Sequence, residues 1–280
     1  MNVQCVLEQP DDLWCGTDRG LYRFNRERGE WEVALPWLNV RALAADGPST
    51  LWCATARGLK LRRGEHWQDV DLPPELGTDV RALLVAANGA LWCGTGRGLG
   101  FRQTEKWQVP TAVDDWFPTP VNCLASSPGE EILCGLERGV FRWVADCLEL
   151  VWEEVNALCL LFDGDGRLWC GTDHGLHQQR GEHLRRMHDW QGRSLVLLLD
   201  KGGRVCCGTS QGLYIYEQGY WRGVRRGLPT QVVQCLARGH DDLIWCGTTA
   251  GAAAVDTSDL RGQARSPAEV LSIARPRAAE

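Results

Sequence analysis

A short motif returns seven times along this chain, and that recurrence limits its fold more than any other feature. Leu13-Trp14-Cys15-Gly16-Thr17, closed by Gly20-Leu21, comes back as Leu51-Trp52-Cys53-Ala54-Thr55 with Gly58-Leu59 and as Leu91-Trp92-Cys93-Gly94-Thr95 with Gly98-Leu99. Later copies are Ile132-Leu133-Cys134-Gly135, Leu168-Trp169-Cys170-Gly171-Thr172, Val205-Cys206-Cys207-Gly208-Thr209 and Ile244-Trp245-Cys246-Gly247-Thr248. The second position falls at residues 14, 52, 92, 133, 169, 206 and 245. A step of about 38 residues is one supersecondary unit.

Each unit reads as four short strands. A Val-led run such as Val40-Arg41-Ala42-Leu43 or Val121-Asn122-Cys123-Leu124 forms strand A. Turn residues such as Asn88-Gly89 then lead into the Leu-Trp-Cys strand B, as in a hairpin. The Gly-Leu pair opens strand C, and a Trp marks strand D, fifteen residues after the marker position at Trp67, Trp107 and Trp221 and seventeen after it at Trp31. Four-stranded units of this length repeated seven times predict an all-β, seven-bladed β-propeller with antiparallel blades. The ring is expected over residues 1–264. The tail 265–280 contains Val270-Leu271-Ser272-Ile273-Ala274, a copy of the strand A start, and reads as an extra strand at the seam or the start of a truncated repeat.

The pattern Val-x-x-Leu, Asp/Gly turn, Leu-Trp-x-Gly-Thr, two variable residues, Gly-Leu resembles the two-component regulator propeller repeat over residues 2–262. That resemblance implies a ligand-sensing or interaction module, of the kind that often precedes a membrane span and a histidine kinase in bacterial signalling proteins. Here Cys stands where an aliphatic residue is common in the repeat.

Composition narrows the function classes. A formal charge of −6 offers no global attraction to nucleic acid or to anionic membranes. Apolar runs are too short for a membrane span. The start, Met1-Asn2-Val3-Gln4-Cys5, lacks a basic segment followed by an apolar one, so a cytoplasmic location is expected. Thirteen cysteines, an odd number, read as reduced thiols that fill strand B positions. Neighbouring blades stand too far apart for those thiols to pair or chelate.

No cofactor or metal is expected. His174 and His177 span a turn, where both rings cannot converge on one ion. Asp163-Gly164-Asp165-Gly166 resembles part of a calcium loop, but it occupies the A-to-B turn position of every repeat. No nucleophile elbow or phosphate-binding loop exists. A lyase or hydrolase would need a converging carboxylate or histidine pair that the sequence does not offer.

The leading expectation is a non-enzymatic module that binds a protein or peptide on the face where the B-to-C turns and D-to-A loops emerge. The turns carry Arg19, Arg57, Arg97 and Arg138, against His174, Gln211 and Ala250 in the last three copies. The loops are read as holding Trp37, Trp116, Phe117, Trp152 and Trp190. Arg with aromatic residues is the composition that protein interfaces favour. The alternative is a small-molecule or glycan sensor at the channel mouth, lined by Gln4, Arg41, Arg81, Asn122, Asn156 and Gln234.

Overall fold

The computed structural model describes residues 1–257 except 111–118, 145, 182, 188–191, 225 and 241. Within them 27 strands form seven antiparallel sheets, each hydrogen-bonded in chain order from the innermost strand A outward. Six sheets have four strands; the seventh has three described strands, Val233–Arg238, Leu243–Thr248 and Gly251–Asp256. Its fourth strand, expected near Leu260, and the tail 265–280 lie outside the described residues.

The A strands (Val3–Glu8, Val40–Ala45, Val80–Val85, Val121–Ser126, Ala157–Phe162, Ser194–Leu199 and Val233–Arg238) each pack against the A strands of both neighbouring blades. This includes the first against the last, so the ring closes. The repeat is thus a seven-bladed β-propeller, as the period predicts.

The recurring motif has a packing origin. Strand B is buried along both faces in every blade; Trp14 and Trp169 are 0% and 1% exposed. Trp14 wedges against Leu51, Cys53 and Trp67 of the next blade, its ring edge-on to Trp67, and the buried Arg62 guanidinium lies 4.9 Å from its centroid. The motif glycine sits where blades touch. A Cβ on Gly171 would stand 2.3 Å from Cys159 Sγ and 2.9 Å from the Ser194 carbonyl oxygen of the next blade. Ala54 is the single exception, and its methyl is fully buried.

Four further cysteines obey a register that the strand B pattern does not reveal. Cys5, Cys123, Cys159 and Cys235 are each the third residue of an A strand. The last three point their thiols at the first carbonyl of the next blade: Cys123 at Ala157, Cys159 at Ser194 and Cys235 at Val3, 3.6–3.8 Å away. All thirteen cysteines are free, and twelve are buried.

Candidate functional site

One hydrogen-bond pattern builds the rim. Thr17 Oγ1 accepts the Arg19 amide at 3.1 Å and donates to the Gly20 carbonyl at 2.8 Å. The same pair of bonds recurs around Arg57, Arg97, His174, Gln211 and Ala250. The turn closes on a glycine whose φ lies between 119° and 155° in these six blades, a region costly for any side chain. In the fourth blade Leu136 replaces the threonine. In blades one, two, three and six a backbone bond joins the turn to the segment ahead of the A strand: Asp18 N–H to the Asn2 carbonyl, Ala56 to Asn39, Gly96 to Asp79 and Ser210 to Arg193. The B-to-C turns and D-to-A loops therefore share one face.

On that face Arg19, Arg57, Arg97 and Arg138 are all exposed, and among the described residues none enters an ion pair. They are not equivalent. Arg97 runs along the loop at Pro74 and Gly77, with Nη1 3.5 Å from the Pro74 carbonyl. Arg138 lines a depression with Glu137, Glu153, Glu154, Asp173 and His174, so the crescent turns acidic at its end. Trp37 is 84% exposed, holds φ at 60°, and donates its backbone N–H to the Arg19 carbonyl at 2.8 Å. Trp152 differs from the expectation. It lies within the D strand Cys147–Glu153, opposite Val140, and is half-buried against the core between blades four and five. Trp116, Phe117 and Trp190 lie outside the described residues.

The channel mouth is made by a bulge repeated in every blade. In each A–B pair the register skips the second residue of strand A: Val3 faces Thr17 and Cys5 faces Gly16, with Gln4 unpaired between them. The same skip occurs at Arg41, Arg81, Asn122, Leu158, Leu195 and Gln234. A bulge re-aims the side chain it releases, and all seven line one cavity of about 500 Å³ together with Asn2, Asn39 and Arg193. Asn156 is not among them. It precedes its strand by one residue, and its Nδ2 donates to Asp173 Oδ2 at 3.1 Å; Leu158 holds the place assigned to it.

Asp79 and Arg193 went unnoticed in the sequence, although both occupy the position directly before strand A, as Asn2 and Asn39 do. Asp79 bridges two of the cavity's cations: Arg41 Nη1 is 3.0 Å from its Oδ1, and Arg81 Nε is 3.0 Å from its Oδ2.

The remaining candidates settle into structure. Asp163 accepts the amides of Asp165 and Arg167 and the Trp169 indole N–H, so this carboxylate pins a turn to the core. His174 projects from its turn, whereas His177 is half-buried opposite Cys170, where burial and Arg186 lower its pKa. Among the described residues no three His, Cys, Asp or Glu side chains converge as a metal site.

No family model and no curated protein matches this chain. Solved structures do match. The extracellular domain of a putative hybrid two-component system protein from B. thetaiotaomicron superimposes with a TM-score of 0.79 at 18% identity, over 90% of this chain and 38% of that one. This chain thus spans well under half of that domain. Virginiamycin B lyase from Staphylococcus aureus gives 0.72 at 9% identity, over 90% and 94%. YCF48 bound to D1 peptide gives 0.70 at 15%, over 94% of each. At these identities the likeness establishes the propeller fold, which hosts binding proteins and an enzyme alike.

The comparison overturns the cytoplasmic expectation, because the B. thetaiotaomicron structures are extracellular domains. Reduced cysteines do not report a reducing compartment here. Burial pushes the thiols of Cys53, Cys134, Cys170, Cys207 and Cys235 up to about 12, which keeps them unreactive wherever the chain resides.

Proposed function

We propose that this chain is a non-enzymatic binding module that recognises a protein or peptide on the face bearing the B-to-C turns and D-to-A loops, within a regulatory or signalling assembly. One observation carries the reading: the exposed Trp37 is tethered, in a backbone conformation unfavourable for a bulky side chain, to the carbonyl of the unpaired Arg19. Strain of this kind persists where surrounding structure enforces it, and Trp and Arg are the residue types enriched at interface hot spots. The arginines suit carboxylates through two-pronged, charge-assisted hydrogen bonds. The peptide-bound YCF48 structure and the two-component extracellular domains, all propellers, are consistent with this use of the fold.

The test is an array of acidic peptides probed with the wild type, with Trp37→Ala and with the Arg19, Arg57, Arg97 and Arg138 quadruple Ala variant. Peptides that bind the wild type and lose affinity for both variants support the reading. Binding unchanged in both folded variants overturns it.

A further inference from the structure

The chain carries a net charge of −6, yet the wall of its central cavity is cationic. Arg41, Arg81 and Arg193 line the mouth, and among the described residues Asp79 is the one carboxylate that pairs with any of them. Arg193 is exposed and has no acidic partner among the described residues. Three guanidinium groups against one carboxylate leave an excess of two positive charges inside a concave wall, where field lines concentrate.

The rest of the lining agrees in chemistry. Asn122 donates its carboxamide to the Ala157 carbonyl, which fixes it across the blade junction. The amide oxygens of Asn2, Asn39 and Gln234 are buried and have no hydrogen-bond partner among the described residues. The donors at this mouth are therefore the guanidinium groups of Arg41, Arg81 and Arg193.

We propose that this mouth is a binding site for a small organic carboxylate. The bulge in each blade fixes the position of the released side chains, so Arg41 and Arg81 enter the cavity from the rigid inner ring rather than from mobile loops. Asp79 holds both guanidinium groups in place, and Arg193 faces the ligand without a competing carboxylate. A cavity of about 500 Å³ takes a molecule of one or two sugar rings in size. The site is distinct from the Arg19 and Trp37 rim, and the inference does not depend on that rim binding a partner.

Isothermal titration with citrate and glucuronate, with neutral glucose and inorganic sulfate as comparators, tests the site. Citrate or glucuronate is expected to bind and glucose to bind at least tenfold more weakly. Arg193→Ala, which leaves the Asp79 bridge intact, is expected to weaken the carboxylate at least tenfold with an unchanged thermal midpoint. Arg81→Lys keeps the charge and lowers affinity through loss of the planar fork. The quadruple rim variant retains full carboxylate affinity. Glucose binding as tightly as glucuronate, sulfate binding more tightly than either carboxylate, or carboxylate affinity unchanged in Arg193→Ala overturns the inference. Absence of heat with every carboxylate at millimolar concentration does so too. Loss of carboxylate binding in the rim variant would move the site to the rim.

Discussion

The indole Nε1 of Trp245 donates to Glu8 Oε2 at 2.6 Å and joins residues 237 positions apart in the chain. Glu8 belongs to the first A strand and Trp245 to the last described B strand, so this bond spans the seam of the ring. The same carboxylate pairs with Arg26 and lies 3.2 Å from His240 Nε2. Its side chain is only 5% exposed. Glu8→Ala strands both the indole N–H and the Arg26 guanidinium, and the expected cost is about 2–4 kcal/mol of unfolding free energy. Urea unfolding of the variant against wild type measures it; a loss below about 1 kcal/mol would show that the seam does not depend on this carboxylate.

Blade spacing gives a second prediction. Gly171→Ala places a methyl within 2.9 Å of backbone in the next blade and is expected to destabilise by about 1–3 kcal/mol. At the equivalent position in blade two, Ala54→Gly removes a buried methyl that already fits, at an expected cost of about 1 kcal/mol. Both substitutions lower the thermal midpoint although they run in opposite directions.

The thiols set an alkaline limit. In the folded chain burial holds Cys53, Cys134, Cys170, Cys207 and Cys235 near 12, against 9.0 for an ordinary thiol. Above about pH 9 the unfolded chain releases protons that the folded one retains, so unfolding becomes easier as pH rises toward the folded values. Stability is fully present below the ordinary value and is lost through that window. Denaturant midpoints measured between about pH 8 and pH 11 should fall, and the fall should shrink when several of these cysteines are replaced by Ala.

Thiol accessibility follows from the same burial. Cys147 is the one cysteine that is not buried. A thiol reagent at neutral pH is expected to modify about one group rapidly in the native protein and all thirteen after denaturation. Rapid native modification of several groups would contradict the packing of the strand B cysteines.

Trp37 separates stability from binding. Its φ of 60° suits glycine, so Trp37→Gly is expected to leave unfolding free energy within about 1 kcal/mol of wild type despite the loss of a large side chain. Partner binding should weaken by at least about 2 kcal/mol in Trp37→Ala if the indole is an anchor. The quadruple Arg variant should keep the wild-type midpoint, because all four residues are exposed and enter no ion pair among the described residues.

The sequence by itself determined the blades: a period near 38 residues, the Thr-x-x-Gly turn, and the buried strand B are short-range regularities that survive in any copy. The arginines of the rim were legible for the same reason, since each stands at a fixed offset, two residues after the threonine in three copies and after Leu136 in the fourth. The mouth was legible only in part. Simple alternation along a strand does not foresee the bulge at Gln4, Arg41 and their equivalents, and without that register Asn156 stood in the place of Leu158. Trp152 was read as loop because strand ends carry no marker of their own. Only the tertiary structure decided which charges meet. Asp79 between Arg41 and Arg81, Arg193 with no acidic partner among the described residues, and Glu8 across the seam from Trp245 depend on where separate blades stand around a closed ring, and no single repeat encodes that distance.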